Sequence, residues 1–237
     1  AQQARGFIST LFSPMIPAAS ALHAHEQHEQ IAGLYRRSFK YMSVAAVPLS
    51  LAIFALAHPF IRTWIGAGYE TSSYTLQALM AAYMINLLTG PGAFILSGIN
   101  KPEIGMRSSI MAGLTNIILC FTLVQSIGYY GIVIGIFTSL LTSALYFLWM
   151  VSKQIPGADW VLYRQTLTRP LVAAFLCTIL VLSADQLLHL KGYIILSLLV
   201  FSYLFIIYRL IFAGSYLDEF DRQTIKKLIP LRLRTHL

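Results

Sequence analysis

Long apolar segments separated by short polar connections run along the whole chain. Residues 71–100 contain no Asp, Glu, Lys or Arg, and neither do residues 108–152. A helix needs about 20 apolar residues to cross the hydrocarbon core of a bilayer, so the second window is long enough for two crossings. Gly128 and Gly131 allow a turn within it. The pattern predicts seven membrane-spanning helices, at 6–22, 41–61, 76–97, 108–127, 131–151, 170–188 and 192–212.

The composition agrees with this pattern and determines the fold class. Of 237 residues, 57% are hydrophobic and only 11% are charged. A soluble domain of this length has too little interior to bury so much apolar surface. We therefore expect an all-α, polytopic helical membrane protein. The chain begins "AQQARGFIST", without an initiator Met or the features of a signal peptide, so we expect a fragment of a longer chain.

The net charge of +8 is distributed unevenly among the connections. Basic-rich and basic-poor connections alternate, with fourteen Lys and Arg residues on one side and only Arg62 and Lys191 on the other. The positive-inside rule then predicts that the 23–40 connection and the C-terminus are cytoplasmic. The basic tail 213–237 either fixes this orientation or also binds anionic headgroups. No basic face interleaved with aromatic residues suggests a nucleic-acid partner.

Motifs of enzymes and of cofactor or metal sites are missing from the sequence. It contains no GxSxG, P-loop, GxGxxG or HExxH stretch. Cys120 and Cys177 lie in apolar segments without metal-ligand spacing, and the histidines of "HAHEQHEQ" (23–30) match no zinc pattern. We therefore expect neither an enzyme nor a bound cofactor or metal.

Polar residues deep in predicted spans are the main candidates for a functional site. Asn86 and Thr89 precede a Gly90-Pro91-Gly92 break in the third span, and Asn116 lies near the middle of the fourth. Pro91 removes a backbone donor, and in lipid the freed groups must be satisfied by protein or by water in a cavity. The break indicates a helix that lines a solvated chamber, or small residues that allow close packing against a neighbour. Both interpretations stay open.

Ionisable residues within the spans are few. Arg5, His58, Arg62 and Asp185 all lie near predicted outer ends. Such groups usually face a cavity or a partner, but near an interface a long side chain also reaches water.

Several motifs in order resemble one transporter family. They are "FISTLFSPMIPAASAL" (7–22), "LYRRSFKY" (34–41), "WIGAGY" (64–69), "LTGPGAFILSGINKP" (88–102) and "YGIVIG" (130–135). Together they resemble the C-terminal half of a Wzx-type polysaccharide flippase, from the multidrug/oligosaccharidyl-lipid/polysaccharide exporter superfamily. The resemblance covers residues 5–152 well, whereas the last two spans match mainly by position and hydrophobicity.

This resemblance implies a two-lobed transporter that works by alternating access, of which the chain supplies the C-terminal lobe and lacks the N-terminal lobe. It implies that the protein flips undecaprenyl-diphosphate-linked oligosaccharide across the bacterial inner membrane for surface polysaccharide synthesis. Membrane lipids, a polysaccharide polymerase and assembly proteins would be its partners. Arg5 would bind the diphosphate, while Asn86, Thr89 and Asn116 would line the cavity. Gly90, Pro91 and Gly92 would form a hinge.

Two other functions are consistent with parts of the sequence. A multidrug exporter of the same superfamily would have the same fold, although such exporters usually place an acidic residue in mid-membrane, which these spans lack. A membrane glycosyltransferase or polymerase would need sizeable outer loops with carboxylates. Here the outer connections are short, and Glu70 is their clearest carboxylate.

Overall fold

The computed structural model describes residues 14–66, 68–188 and 193–213. Arg5, the beginning of the predicted first span and the tail 214–237 lie outside these residues. The regular secondary structure in the described part is helical, which confirms the all-α prediction. Its elements are α1 (Met15–Ala24), α2 (His28–Trp64), α3 (Glu70–Leu87), α4 (Gly90–Gly98), α5 (Glu103–Ile127), α6 (Tyr129–Gln154), α7 (Trp160–Leu188) and α8 (Tyr193–Ala213).

Five helical segments in the described part are long and apolar enough to cross a membrane. The segment Glu70–Gly98 combines α3 and α4, while α1 has 10 residues and the apolar stretch Leu199–Arg209 of α8 is also short. This result confirms a polytopic helical membrane protein, and the arrangement of seven spans stays a prediction. The five segments are His28–Trp64, Glu70–Gly98, Glu103–Ile127, Tyr129–Gln154 and Trp160–Ser183.

The longest helix, α2, includes most of the predicted 23–40 connection. Only residues 25–27 separate it from α1, and Glu26 in this turn has a positive φ of 56°. Ile31, Tyr35 and Phe39 recur at every fourth position and are all buried, so the connection carries an apolar stripe that favours helix. At 37 residues α2 is about 55 Å long, well beyond the bilayer core of about 30 Å. One end of α2 therefore projects from the membrane.

α2 is also the centre of the bundle. It packs against α1, α3, α4, α7 and α8, and its buried positions include Val47, Ala55 and Leu56. α5 and α6 form an antiparallel pair that joins the rest mainly through contacts of α6 with α3. α5 is peripheral, since Ile117 and Phe121 are 67% and 68% exposed. Between Ile110 and Phe121 the exposed side chains of α5 are apolar and suit contact with lipid.

Side-chain contacts bring the basic-rich connections together at one end of the bundle. Lys101 donates a hydrogen bond to Gln154 at the end of α6, and the Arg36 guanidinium lies against Gly157 in the α6–α7 turn. At the other end, the Thr75 and Tyr129 hydroxyl oxygens are 2.9 Å apart and join the beginnings of α3 and α6. The basic-rich and basic-poor connections that alternate along the sequence therefore lie at opposite ends of the bundle.

Candidate functional site

The break in the predicted third span lies at Leu88 and Thr89, between α3 and α4. Leu88 N–H bonds to Ile85 O and Thr89 N–H to Asn86 O, both at 3.2 Å, so the chain tightens into a turn. Pro91 falls in the first turn of α4, where its missing N–H would have no partner within the helix. The interruption therefore precedes the Gly-Pro-Gly triplet, which begins the new helix.

The three predicted hinge residues have different surroundings. A Cβ added at Gly92 would lie 3.0 Å from both Phe147 Cε1 and Val151 Cγ2 of α6, whereas one at Gly90 would lie 3.6 Å from Met42 Cε. The first distance is tighter than ordinary contact, and the second is ordinary contact. Gly92 therefore allows α4 to pack on α6, while the space around Gly90 accepts a larger residue. For Gly92, close packing is the better supported interpretation.

Asn86 and Thr89 lie together at the break. Both are half-buried, and the Thr89 hydroxyl donates a hydrogen bond to the Asn86 carbonyl oxygen at 2.7 Å. The same carbonyl accepts the Thr89 N–H, so the hydroxyl adds a second donor to it and ties the side chain to the turn. The Thr89 hydroxyl thus stabilises the turn and retains acceptor capacity for a further donor.

Asn116 lies on α5 and contacts α6 rather than the break. Its Nδ2 donates to Ser139 Oγ at 3.3 Å, and Cys120 Sγ lies 3.8 Å from its Oδ1. Ser108 and Ser143 connect the same two helices, with their hydroxyl oxygens 2.8 Å apart. The side chain of Asn116 is therefore used in packing α5 on α6. Both of these partners of Asn116 lie within the α5–α6 pair.

Small residues on α6 explain how closely α5 approaches. Gly131, Gly135, Ser139 and Ser143 recur at every fourth position and are buried. A Cβ at Gly131 would lie 2.5 Å from the carbonyl carbon and oxygen of Leu123, and one at Gly135 would lie 2.7 Å from Cys120 Sγ. We predicted a turn at Gly128 and Gly131. Gly128, with φ 58°, occupies the turn, but Gly131 belongs to the helix contact.

An apolar groove runs between α2, α3 and α8. Its volume is about 360 Å³, which is in the range of small-molecule sites. None of its lining side chains is polar, so the groove suits hydrocarbon rather than sugar or water. The lining consists of Leu49, Ala52, Ile53, Leu56, Ala57, Phe60, Leu76, Val200 and Leu204.

The chain matches the protein family described as Lipid II flippase MurJ over residues 6–208. The chain belongs to the MurJ lipid II flippase family. Flippases are transporters, so membership confirms the expectation of a transporter rather than an enzyme. It also confirms a lipid-linked flippase of the superfamily that the sequence resembles. No curated protein and no solved structure shows significant similarity to the chain.

In this member of the MurJ family, buried hydroxyl contacts join α7 to α2 and to α8. The Tyr35 and Tyr163 hydroxyl oxygens are 3.0 Å apart and connect α2 with α7. Tyr203 of α8 donates to Ala174 O at 3.1 Å, and its oxygen is also 3.1 Å from Thr178 Oγ1. Sequence analysis missed both pairs, because single tyrosines in apolar segments resemble ordinary interface residues.

Among the residues that the structure describes, no group of three His, Cys, Asp or Glu side chains is arranged to hold a metal ion. The two cysteines of the sequence are not joined to each other: Cys120 is half-buried and Cys177 is buried. Arg5, the predicted cation for a diphosphate, lies outside the described residues.

Proposed function

We propose that this chain is one lobe of a transporter that moves an undecaprenyl-diphosphate-linked saccharide across the bacterial cytoplasmic membrane by alternating access. The observation that carries this proposal is the family match over residues 6–208. Such a substrate joins a hydrophilic sugar to a long hydrocarbon chain. Its carrier must offer polar groups to the sugar and an apolar surface to the chain at the same time.

The apolar groove supports the second requirement. Its nine apolar lining side chains and its volume of about 360 Å³ suit a segment of a polyprenyl chain. Leu49, Ile53 and Phe60 are each partly exposed, so hydrocarbon can enter from the side of α2. The groove would hold the chain at the lobe while the saccharide crosses.

The break between α3 and α4 supports the first requirement. Asn86 and Thr89 place amide and hydroxyl groups where the helix is interrupted, and we propose that they meet the saccharide. Arg5 would pair with the diphosphate, as a guanidinium binds phosphate with two parallel hydrogen bonds. We propose that the turn at Leu88 and Thr89 also lets α4 tilt against α3 during alternating access. The contacts of Asn116 with α6 favour packing over a cavity role for this residue.

Two classes of saccharide fit this proposal. The family description names lipid II, the lipid-linked precursor of peptidoglycan, which makes it the first candidate. The sequence resemblance to polysaccharide flippases adds lipid-linked oligosaccharides for surface polysaccharide as the second, with a polymerase and assembly proteins as partners. Complementation distinguishes the two: the protein, as encoded in its own genome, is expressed in cells depleted of their lipid II flippase and in cells lacking their polysaccharide flippase. Restored growth supports lipid II, restored surface polysaccharide supports the oligosaccharide, and failure of both contradicts the proposal.

The groove gives a variant for the same assay. Ile53→Trp fills the groove from a partly exposed position, so we expect normal membrane insertion with loss of complementation. Ala45→Trp is the matched control, since Ala45 is exposed on the same helix and does not line the groove. Equal activity of both variants would exclude the groove from transport.

The proposed orientation places the basic-rich end and the C-terminus in the cytoplasm. We expect an impermeant thiol reagent to label Glu70→Cys in intact cells and not Lys101→Cys. Glu70 begins the helical segment Glu70–Gly98, and Lys101 lies in the connection that follows its other end. Labelling in the reverse order would contradict the orientation.

A further inference from the structure

A second, polar cavity lies where α2 ends and α3 begins, at the end opposite the basic-rich connections. It has a volume of about 50 Å³ and is lined by His58 and Arg62 of α2 and by Tyr69, Glu70 and Ser73. One water needs only about 10–15 Å³ of such space, so the cavity has room for several waters or one small polar group. It differs from the apolar groove in both position and chemistry.

Ser73 is the residue that indicates a ligand in this cavity. Its side chain is 2% exposed, yet its hydroxyl makes no hydrogen bond to any residue that the structure describes. Thr75, two residues later, bonds back to Thr71 O at 2.8 Å in the usual manner of helical hydroxyls. A buried hydroxyl without a partner is costly, so Ser73 requires a group in the cavity with which to bond.

The other groups around the cavity favour an anion. Arg62 supplies guanidinium donors, the His58 imidazole can donate, and the first turn of α3 contributes backbone N–H groups with the positive end of its dipole. His58 is held edge-on to the Tyr74 ring at a centroid distance of 5.0 Å. Glu70 is the one carboxylate in the lining, and its charge opposes an anion there.

Aromatic residues around this end indicate its depth in the membrane. Trp64, Tyr69 and Tyr74 are all more than half exposed. They belong to the same stretch of sequence as the residues that line the cavity. Exposed Trp and Tyr side chains concentrate at the level of lipid headgroups. The anion that reaches a cavity at this depth most directly is a phosphate attached to a lipid.

We propose that this cavity binds a phosphate group at the membrane interface, through Arg62, His58 and Ser73. The phosphate belongs either to a phospholipid headgroup or to the diphosphate of a lipid-linked substrate, since both present the same oxygens at this depth. The proposal does not depend on transport, because it concerns a site separate from the α3–α4 break and from the groove.

Binding to the purified protein in dodecyl maltoside micelles, which contain no phosphate, tests the site, with native mass spectrometry as the readout. The probes are phosphatidylglycerol, a polyprenyl diphosphate and inorganic phosphate, each titrated separately. We expect Arg62→Gln to weaken binding about tenfold and Ser73→Ala about fivefold, as loss of hydrogen bonds to a charged group does. If the substitutions weaken the binding of phosphatidylglycerol more than that of the polyprenyl diphosphate, the ligand is a phospholipid. If they weaken the binding of the polyprenyl diphosphate more, the ligand is the lipid-linked substrate. In a further titration, displacement of either lipid by inorganic phosphate shows that the phosphate group alone is recognised.

Matched controls guard against a general effect of substitution. Ser72 is exposed beside Ser73 on α3 and does not line the cavity, and Arg107 is exposed on α5. We expect Ser72→Ala and Arg107→Gln to bind as the unmodified protein does. Losses in these controls as large as those in the cavity variants would mean non-specific binding and would overturn the proposal, as would unchanged binding by Ser73→Ala.

Glu70→Gln adds a test of sign. If the cavity holds a phosphate, removal of the opposing carboxylate should tighten binding, by about threefold for a charge at a partly exposed site. A cation site would lose affinity and a site for water alone would not change, so either result overturns the proposal. The melting temperature of each variant confirms that it is folded before its binding is compared.

Discussion

The α5–α6 pair and the α3–α4 segment both place small and polar residues within the membrane, but they use them differently. In the pair, Gly131 and Gly135 let two unbroken helices touch, and Ser108 and Ser143 bond across the contact. In the α3–α4 segment the helix ends at Leu87, and both the N–H and the hydroxyl of Thr89 donate to the Asn86 carbonyl in the turn that follows. The same residue types thus serve close packing in one region and chain interruption in the other.

The difference shows which feature distinguishes a packing motif from a break. Residues that recur every four positions without proline keep the backbone bonds within each helix and place every small residue on one face. A proline has no N–H to donate to the carbonyl four residues earlier, so a continuous helix is weakened there. With adjacent glycines, the chain can turn and a new helix can begin. Regular spacing therefore predicts packing, whereas a cluster of Gly and Pro predicts interruption.

The largest effect that separates the two regions is expected at Gly131. Gly131→Ala places a Cβ 2.5 Å from the backbone of Leu123, which cannot move aside as a flexible side chain can. We expect the free energy of unfolding to fall by about 3 kcal/mol, at the upper end of the usual cost of overpacking. Thermal unfolding in detergent, followed by size-exclusion chromatography, measures the loss.

Gly113→Ala is the control for this substitution. Gly113 lies on α5 of the same pair, but a Cβ there would meet nothing within 4 Å. Since Ala favours helix over Gly, we expect stability to change by less than about 1 kcal/mol, in the stabilising direction. Similar losses in both variants would mean that the close contact at Gly131 does not determine the stability of the pair.

Much of this arrangement could be predicted from the sequence, because hydrophobic length and Gly-Pro positions act locally. Charge-free windows predicted helices of membrane length, and the triplet at 90–92 predicted an interruption within two residues of the turn at Leu88 and Thr89. The four-residue spacing of Gly131, Gly135, Ser139 and Ser143 was equally visible and would have predicted the contact with α5.

The remaining features depend on contacts between segments that are distant along the chain. Tyr35 meets Tyr163, 128 positions later, and nothing near either residue indicates the other. Ser73 is one serine among several at the beginning of α3, and only its burial beside Arg62 distinguishes it. Asn116 was predicted as a cavity residue because a polar group in a span suggests solvent, although a serine on the next helix is its described partner.

A second experiment asks whether the interruption itself is needed for transport. Gly90→Ala with Pro91→Ala supplies the N–H that Pro91 lacks, so that α3 and α4 can join into one helix. Gly92 is left unchanged because it packs closely against Phe147 and Val151. We expect normal insertion and a fall in lipid-linked saccharide transport of about tenfold, since a continuous helix cannot tilt at this point.

Pro102→Ala is the control for loss of a proline at the beginning of a helix, as Pro102 directly precedes α5. We expect this variant to transport at the unmodified rate. If the double variant also transports at that rate while its α3–α4 segment becomes continuous by hydrogen exchange, the interruption has no role in the transport cycle.

The smallest expected effect concerns Asn116 and decides to which kind of region it belongs. If its amide serves the α5–α6 contact, Asn116→Ala and Ser139→Ala should each lower the free energy of unfolding. The double variant should lower it by less than the sum of the two single losses. Polar pairs between membrane helices contribute about 0.6 kcal/mol on average, so a coupling of that size is expected. Transport per folded molecule should stay unchanged in all three variants. Additive stability losses together with reduced transport would instead place Asn116 in the saccharide path, and the α5–α6 pair would then combine packing with function.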